Sequence, residues 1–512
     1  MPSLTWASYS APIVSGGYFG YAPGSEVSRE RSVAAAVTAD MLTSDPTIAS
    51  LVEQFAVYSI GNGLTLSSRP DHTALGITPE TARELAGKIE RAWLSWSANP
   101  VECDAAGRHT LPQLITAAFK SWLVTGEIVA VLNTLPVSGA RTRTKLSLLD
   151  SRQLDQSITR TGDNGASILN GVQFDGNGRV QGYWIRRPVL GSINSAPQAL
   201  YVASRTSWGR PLAVHIFDYL MPGQVRGVSP LIASLTSARA KAILTEYGLA
   251  AALIGTMLAA TVESDLPNAA ALGGVNTGEA LGAFNGASIA DIVKTRGEFY
   301  SGAPKISMSP GTVAHLHPGD SLKLTKSEAP NGTFEAFNAA LSRTAAKSAG
   351  SSAEDLSGDF SKTSFSASRL ANELPWRINL RRRSAIAEPL YRAVFVAWLE
   401  EMFETQRIEL PTGAPTFLEA AEAYSASLWR GSAKPVADVY KQTQSDVLRL
   451  EHGLATYSEI LGENGKDFES HLVDRASEKK QIEAAGFVYP TPKAVLAYEV
   501  ANAVAEESDK DQ

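Results

Sequence analysis

A run of apolar residues at 247–262, YGLAAALIGTMLAATV, limits what this chain can fold into more than any other feature of its sequence. The run lies between Glu246 and Glu263 and has no charged residue inside it. Its sixteen residues fall short of the roughly 20 that a helix needs to span a bilayer. A helix that is apolar on nearly all sides can equally be buried between neighbouring helices. The run therefore predicts a protein-buried helix and argues against a membrane segment.

This run ends a longer predicted helix, which is followed at some distance by a second one. The first helix covers 230–262, because Ser229 can cap it and Pro230 suits its first turn. The second covers 333–349, with Thr333 as a possible cap. Residues 264–327 between them lack a long helical period and predict a small irregular module. Its strand-like runs are Thr312–Leu316 and Ser321–Leu324.

The residues before the first of these helices predict a helical region and then a strand-rich one. Residues 1–30 are rich in Gly, Ser, Tyr and Pro without any period, which predicts a flexible arm. Alternating residues around Asp175–Gly178 predict a β-hairpin. The other elements predicted before residue 220 are helices at Ala34–Ser44, Ile48–Ile60, Thr78–Trp96 and Leu111–Gly126, and strands at Ile128–Leu132, Leu200–Ser204 and Leu212–Phe217.

The residues after 349 predict a loop, a long helix and a helical C-terminal region. The loop is polar and rich in Ser and Gly. The long helix covers 367–404, where Pro375 and Pro389 are expected to kink or interrupt it. Short helices are predicted at 416–427 and 436–486.

The composition excludes several classes of site. The chain has 46 Lys and Arg against 52 Asp and Glu, and this net charge of −6 argues against a tight, sequence-reading nucleic-acid binder. It does not argue against a surface past which DNA slides. The single cysteine, Cys103, excludes an internal disulfide and a cysteine-built zinc site, and its sequence context indicates an inert thiol. His315 and His317 share a strand face without a nearby third ligand, so a structural or exposed role is favoured over a metal site.

Motifs of enzymes are also missing. The nearest approach to the phosphate-binding pattern G-x-x-x-x-G-K-[ST] is Gly462–Asp467, which has the wrong spacing and an acid in place of the hydroxyl. Neither G-x-S-x-G nor H-E-x-x-H occurs in the sequence. The sequence therefore predicts no catalytic residue, no metal site and no bound cofactor.

Five segments, in the same order along the chain, resemble the portal proteins of tailed phages of the lambda type, the head–tail connector family. The resemblance covers most of residues 30–480. A departure occurs at Lys434–Asp438, where many relatives carry an Asp-Pro with further aromatic residues. The segments are Asp45-Pro46 with Gly61–Thr65, Trp93–Glu127, Ala213–Leu231, Ser357–Arg369 and Val447–Glu478.

The resemblance implies a mixed α+β portal fold with an α/β wing, a helical stem, a small β-containing clip and a helical crown. It places the wing at 31–228 and, as a long helix, at 367–409. Stem helices at 229–263 and 331–350 would enclose the clip at 264–330. The remaining implied segments are the N-terminal arm at 1–30, the channel (tunnel) loop at 351–366, the crown at 410–490 and the C-terminal tail at 491–512.

The same resemblance implies a ring of about twelve subunits at the unique capsid vertex of the virion. Such a ring is the conduit for DNA packaging and ejection, and double-stranded DNA passes through it without sequence specificity. The implied partners are the terminase motor, the major capsid and scaffold proteins and the head–tail adaptor. The protein would be made in the host bacterial cytoplasm and would have no membrane partner.

Particular residues follow from the implied ring. In the channel loop, Lys362 with its neighbours Ser361 and Thr363 is a candidate for contact with DNA phosphates, and a solvated loop lysine is the alternative. Lys347 and Arg343 of the second stem helix are further channel-facing candidates. The candidates for packing between stem helices are Leu249, Leu253 and Met257. The arginines near the start of the long helix favour salt bridges or a solvated face over DNA contact; they are Arg369, Arg377, Arg381, Arg382 and Arg383.

Two other functions stay open from the sequence. One is an enzyme of the packaging and maturation machinery, an ATPase or a head protease, which ATP hydrolysis by the purified chain would support. The other is a different structural virion ring such as a head–tail adaptor. Adaptors are generally small, so the length of this chain and its two bracketing helices argue against that interpretation.

Overall fold

The computed structural model describes residues 23–489, except 162–166, 187–198, 257–258, 265–293, 296–297, 299–300, 302–319, 326–332, 362 and 437. The chain divides into two compact units, one of residues 1–238 and 343–512 and one of residues 239–342. Both units combine helices with antiparallel strands, so the predicted mixed α+β class is confirmed.

The larger unit begins with a helical region whose boundaries follow local capping chemistry. Asp45 separates the first two helices, and its carboxylate accepts hydrogen bonds from Thr47 N (2.8 Å) and Ile48 N (3.1 Å). Thr78 caps a later helix through Thr81 N, as its sequence predicts. The helices of this region are α1 (Pro23–Ser44), α2 (Pro46–Ser59), α3 (His72–Leu75), α4 (Pro79–Ser97), α5 (Pro100–Cys103) and α6 (Leu111–Thr125).

The described strands of the larger unit form three antiparallel sheets. A three-stranded sheet has the order β3-β2-β9, and a five-stranded sheet has the order β4-β5-β6-β7-β8. In the third sheet, β1 pairs with β12 so that Leu66 lies opposite Trp429. The strands are β1 (Thr65–Ser68), β2 (Glu127–Thr134), β3 (Thr144–Leu149), β4 (Arg160–Thr161), β5 (Ser167–Leu169), β6 (Val172–Phe174), β7 (Val180–Arg186), β8 (Ala199–Ala203), β9 (Ala213–Phe217) and β12 (Ser427–Arg430).

The main core of this unit is rich in aromatic side chains from distant parts of the sequence. The ring of Trp93 lies 5.1–5.7 Å from the rings of Trp96, Phe395, Trp398 and Trp429. All five side chains are buried. Burial of such large apolar groups contributes strongly to stability, so this cluster fixes α4 against the C-terminal half of the chain.

The long helix predicted at 367–404 is continuous but changes its winding. It consists of α10 (Phe365–Arg382), a π-helical turn at Arg383–Ala387 and α11 (Glu388–Glu404). Pro389 lies in the first turn of α11, directly after the π-helical turn, so the winding changes where an interruption is predicted. The α-helix continues through Pro375, where an interruption is also predicted.

The smaller unit contains the apolar run of the sequence. Helix α7 (Ile232–Thr256) enters this unit, and helix α8 (Phe334–Ala349) leaves it. A Cβ atom on Gly248 would lie 2.5 Å from the Phe334 ring, so the two helices pack directly against each other there. Strands β10 (Ala259–Ser264) and β11 (Asp320–Thr325) pair antiparallel, with Ala259 opposite Thr325.

Several predicted boundaries differ from the structure. Helix α7 ends at Thr256 and not near residue 262, because residues 259–264 hydrogen-bond to β11 as a strand. The flexible arm predicted for 1–30 is wrong for its last residues, since α1 begins at Pro23. The strand predicted at 321–324 is confirmed within β11, and the one predicted at 312–316 lies outside the described residues.

The C-terminal region is only partly the helical layer that its sequence predicts. Within 416–427 only a short helix, α12 (Ala421–Tyr424), forms, and Phe417, Tyr424 and Trp429 join the main core. The helices predicted within 436–486 are confirmed. They are α13 (Val439–Glu451), α14 (Tyr457–Glu463) and α15 (Phe468–Ala484), after the short α9 (Ala353–Ser357) in the loop that precedes α10.

Candidate functional site

The buried carboxylate of Glu127, at the start of β2, forms hydrogen bonds with four residues. Arg226 donates Nε–H to its Oε2 (3.0 Å) and Nη2–H to its Oε1 (2.5 Å). Arg31 of α1 donates to Oε1 (2.9 Å), and Gly227 donates its backbone N–H to Oε2 (3.1 Å). His215 Nε2 lies 2.9 Å from Oε2. Because Glu127 and Arg226 are both without solvent exposure, these bonds replace hydration completely.

The electrostatics of this cluster favour an ionised Glu127. Burial alone would raise its pKa, but the polar groups that face it, His215 and the Arg226 guanidinium foremost, lower the pKa far below its ordinary value. Burial lowers the pKa of His215 as well, so this ring is neutral and donates its N–H. Burial lowers the pKa of Arg31 to about 10, which leaves it charged at neutral pH. The carboxylate is therefore held by two permanent guanidinium charges.

Glycines on both sides of the ion pair bring two backbone segments into contact. Gly126 has a φ of +89°, and a Cβ atom there would lie 2.2 Å from the carbonyl carbon of Val228. A Cβ atom on Gly227 would lie 2.0 Å from the Gly126 oxygen. The segments Gly126-Glu127 and Arg226-Gly227-Val228 thus form one joint, which we call the stem-root joint.

This joint fixes the start of α7. Ser229 Oγ donates to Leu123 O (2.6 Å) and accepts from Leu231 N (3.1 Å), so the predicted capping residue anchors the first turn to α6. The helix itself begins at Ile232, slightly later than its sequence predicts. Arg226 also donates to the carbonyl oxygens of Ser151 (3.0 Å) and Asn170 (2.9 Å). Such an arrangement can hold and orient a helix, and it offers no nucleophile to a substrate.

The candidate packing residues of α7 are exposed within the single chain. Leu249 is 63% exposed and Leu253 is 59% exposed, whereas Met257 lies outside the described residues. Leu249 and Leu253 are four residues apart, so they share a face of the helix. The sequence predicts a buried helix, but residues of the same chain do not bury Leu249 and Leu253. No helix of the described residues is long and apolar enough to cross a bilayer.

The loop before α10 contains the candidate channel residues. Ser361 is exposed and donates its N–H (2.9 Å) and hydroxyl (2.6 Å) to the Asp359 carboxylate. Thr363 is half-buried and donates its N–H to Phe360 O (3.2 Å), and Lys362 lies outside the described residues. Gly350 ends α8 with a φ of +86°. Local turns of the backbone thus shape the described part of this loop.

The start of this loop is fixed to α2 and to α10. Ser351 donates its hydroxyl to Gln54 Oε1 (2.9 Å), and Ser352 donates its hydroxyl to Asn372 Oδ1 (2.9 Å). On α8 just before the loop, the candidate cations Arg343 and Lys347 are both exposed and lie four residues apart. The structure therefore leaves these two charges on one open helix face.

Two arginines of α10 form exposed salt bridges, as the favoured interpretation predicts, whereas Arg382 and Arg383 are buried and donate to backbone carbonyl oxygens. Arg381 forms an exposed ion pair with Asp218 (2.7 Å). Arg382 is buried, donates to Ala349 O (2.7 Å) and lies 4.3 Å from the centre of the Phe55 ring. Arg377 pairs with Glu373 (3.2 Å), Arg383 donates to Ser59 O (2.7 Å), and the Arg369 side chain lies outside the described residues.

The described residues show no sign of a metal or thiol site. They contain no group of three or more His, Cys, Asp or Glu side chains that could hold a metal ion. Cys103 is buried, and burial raises the pKa of its thiol to about 12, which agrees with an inert cysteine. His315 and His317 lie outside the described residues.

Sequence reasoning did not find the stem-root joint as a site. It singled out Gly126-Glu127 and the segment around Arg226-Gly227 separately, as motif pieces. The available signal was a pair of Gly-flanked residues of opposite charge. Their pairing needs the antiparallel alignment of β2 and β9, which only the tertiary structure provides.

Comparison with known proteins agrees with the motif pieces. Residues 19–383 match the sequence model of the family described as phage portal protein, lambda family. The chain is 26% identical over 477 residues to the portal protein of Escherichia phage N15, covering 92% of this chain and 88% of that protein. It is 27% identical over 467 residues to portal protein B of Escherichia phage lambda, covering 90% and 85%.

Two solved structures of particle necks match the chain at low TM-score and low sequence identity. The neck of an empty gene transfer agent particle, computed with C6 symmetry, has a TM-score of 0.44 at 15% identity and covers 83% of this chain and 92% of that chain. The neck of the native particle, computed with C12 symmetry, has a TM-score of 0.43 at 14% identity and covers 85% and 98%.

Proposed function

The chain belongs to the lambda family of phage portal proteins, and from this membership we propose that its copies form a ring of about twelve subunits at the unique capsid vertex. The ring is the conduit through which DNA is packaged and ejected. The observation that carries this function is the match of residues 19–383 to the portal family. Portal proteins are structural components of the virion, so the ATPase and head-protease alternatives are set aside.

The stem of the proposed ring consists of α7 and α8. Its support is the close packing of Gly248 against Phe334 and the antiparallel pairing of β10 with β11 beyond the helices. In the ring, Leu249 and Leu253 are covered by the neighbouring subunit, which removes their large exposed areas from water. The clip then covers the residues between the stem helices, 264–330.

The wing of the proposed subunit is residues 31–228 together with the long helix at 367–409. The stem-root joint fixes α7 to the wing sheet, so force on the stem would reach the wing through Glu127 and Arg226. The crown of the proposed subunit is residues 410–490, and its helices α13, α14 and α15 contain no buried residue within the single chain. This region exposes apolar side chains that subunit contacts would cover; they include Tyr440, Leu448, Leu454, Tyr457 and Val473.

DNA contact is assigned to few cations, in keeping with the net charge of −6. Arg343 and Lys347 on the open face of α8 approach the channel, together with Ser361, Lys362 and Thr363 of the loop that follows. Lysine acts on phosphate as a point charge without reading sequence, so DNA would be held weakly and in a salt-dependent manner. If a Lys362→Glu variant packages DNA normally, the proposed contact of Lys362 with DNA is wrong.

The proposed partners are the terminase motor at the clip, the major capsid and scaffold proteins around the wing, and the head–tail adaptor. The protein is proposed to be synthesised in the cytoplasm of the host bacterium and to reside in the virion. Formation of the ring itself can be tested without the terminase or the adaptor.

Assembly of the purified full-length chain tests this function. Light scattering after size-exclusion chromatography should give a mass near twelve times the subunit mass of 54.4 kDa. Negative-stain microscopy of the same fraction should show annular particles with a central channel. A compact monomer under all assembly conditions, including the presence of scaffold protein, would contradict the proposal.

A further inference from the structure

Two adjacent serines of β1 hold carboxylates that come from different parts of the chain. Ser67 donates its hydroxyl to the Asp467 carboxylate at 2.6 Å. Ser68 donates its backbone N–H to Glu90 Oε1 at 2.7 Å. Glu90 belongs to α4, and Asp467 is the capping residue of α15. One strand therefore brings the start of the last helix next to an acidic side chain of the core.

The Asp467 side chain caps the start of α15. Its second oxygen accepts hydrogen bonds from Glu469 N (3.0 Å) and Ser470 N (3.2 Å). Its side chain is only 5% exposed, and Arg430 Nε lies 3.8 Å from it. Asp467 thus caps α15 with one oxygen and binds Ser67 of β1 with the other.

The charges around Glu90 are mostly unfavourable to its ionisation. Asp467 and the exposed Glu469 face it from α15, and Arg91, an exposed neighbour on α4, provides a weaker positive charge. Arg430 of β12 is nearer to Asp467, and Arg69 follows β1 and lies close to Arg430. Among the described residues, Glu90 forms no ion pair of its own.

The consequence is a carboxyl group that changes charge near neutral pH. Burial raises the pKa of Glu90 to about 7, and the charges of Asp467 and Glu469 add to this increase against the Ser68 hydrogen bond and Arg91. Gly465 packs on the Gly431 carbonyl close to this point and Arg430 donates to Ser458 O, but α13, α14 and α15 themselves contain no buried residue. A single added negative charge can therefore matter at this attachment.

We propose that Glu90 is a proton-dependent latch: when protonated it lets the start of α15 dock on β1, and when ionised it repels Asp467 and Glu469 and loosens that helix. The latch is a property of the single chain and does not depend on ring formation. The docked state binds more protons than the undocked state between the ordinary pKa of 4.5 and about 7. Docking is therefore strongest below this interval, weakens as the pH rises across it and is constant above about pH 7.

Hydrogen exchange of the full-length chain tests the latch. Protection of the amides in 468–484 is measured by mass spectrometry between pH 5.5 and 8.5, in the wild type and in Glu90→Gln. Taking the ratio of the two at each pH cancels the intrinsic dependence of exchange on pH. We expect the protection of the wild type relative to Glu90→Gln to fall by about threefold or more between pH 5.5 and 7 and to level off above about pH 7. A ratio that stays constant over the whole range would overturn the proposal.

Two surface variants keep the result decisive if Glu90→Gln does not fold. Glu469→Gln removes an exposed negative charge that faces Glu90, so the midpoint of the pH-dependent loss should move to lower pH. Glu84→Gln changes an exposed carboxylate of α4 outside the cluster and should leave the midpoint where it is. Equal midpoints in the wild type and Glu469→Gln would refute the latch.

Discussion

The guanidinium of Arg226 and the carboxylate of Glu127 form an ion pair with no solvent exposure on either side, joined by contacts of 2.5 Å and 3.0 Å. The pair links β2 to the segment that leads into α7. Because both groups have lost their hydration, neither can be removed alone without leaving an unpaired charge in the interior. The root of the proposed stem is thus fixed by electrostatics as well as by the backbone contact of Gly126 with Val228.

Replacing Glu127 by Gln should destabilise the chain strongly. The change leaves Arg226 and Arg31 buried near each other without a counter-charge, which costs about 3–5 kcal/mol. Urea denaturation followed by circular dichroism measures this loss. Arg152→Gln breaks an ion pair with Asp150 in which Arg152 is 73% exposed, and it should change stability by less than about 1 kcal/mol. Similar losses in the two variants would contradict the special role of Glu127.

Replacing Gly227 by Ala should also be poorly tolerated. The new methyl group would lie 2.0 Å from the Gly126 oxygen, and backbone on both sides would have to move, at a cost of about 3 kcal/mol or more. Thermal unfolding of the purified variant gives the comparison. As a control, Gly87→Ala lies in α4 with its nearest atom at 3.6 Å and should be neutral or stabilising by up to about 1 kcal/mol. A stable Gly227→Ala variant would mean that the joint is not tightly packed.

Replacing Leu249 and Leu253 together by Glu should prevent ring assembly without unfolding the subunit. Both side chains are more than half exposed in the single chain, so the loss falls on subunit contacts and not on the core. Light scattering reports the oligomer, and circular dichroism reports the fold. Leu94→Glu, at a leucine of α4 that is 70% exposed, serves as the control and should assemble normally. Rings of normal size from the double variant would exclude this face from the interface.

Replacing Arg343 and Lys347 together by Glu should weaken the binding of the assembled ring to double-stranded DNA. For each phosphate that the ring no longer neutralises, the slope of log affinity against log salt should fall by about 1. Fluorescence anisotropy with a labelled duplex at several salt concentrations measures the slope. Lys88→Glu changes an exposed cation of α4 and should leave the slope unchanged. Equal slopes in all three proteins would place the α8 cations away from DNA.

Local chemistry was sufficient to predict many of the elements. Asp45-Pro46 and Thr78-Pro79 mark helix starts because capping and the fixed φ of proline act within a few residues. The turn at Asp175–Gly178 predicts its hairpin for the same reason. The end of α7 was missed because residues 259–262 continue its apolar pattern, and only pairing with β11 makes them a strand.

The sequence by itself determined the family, the two helices that bracket the small module and the absence of the common ATPase, hydrolase and metalloprotease motifs. Those features lie in short segments and in their order, which can be read without coordinates. The tertiary structure decided that Glu127 meets Arg226 and that Glu90 lies beside Asp467, and it placed Trp429 in the same core as Trp93. Each of these pairs joins residues far apart in the chain, and their energies come from burial and charge, which depend on which segments the fold brings together.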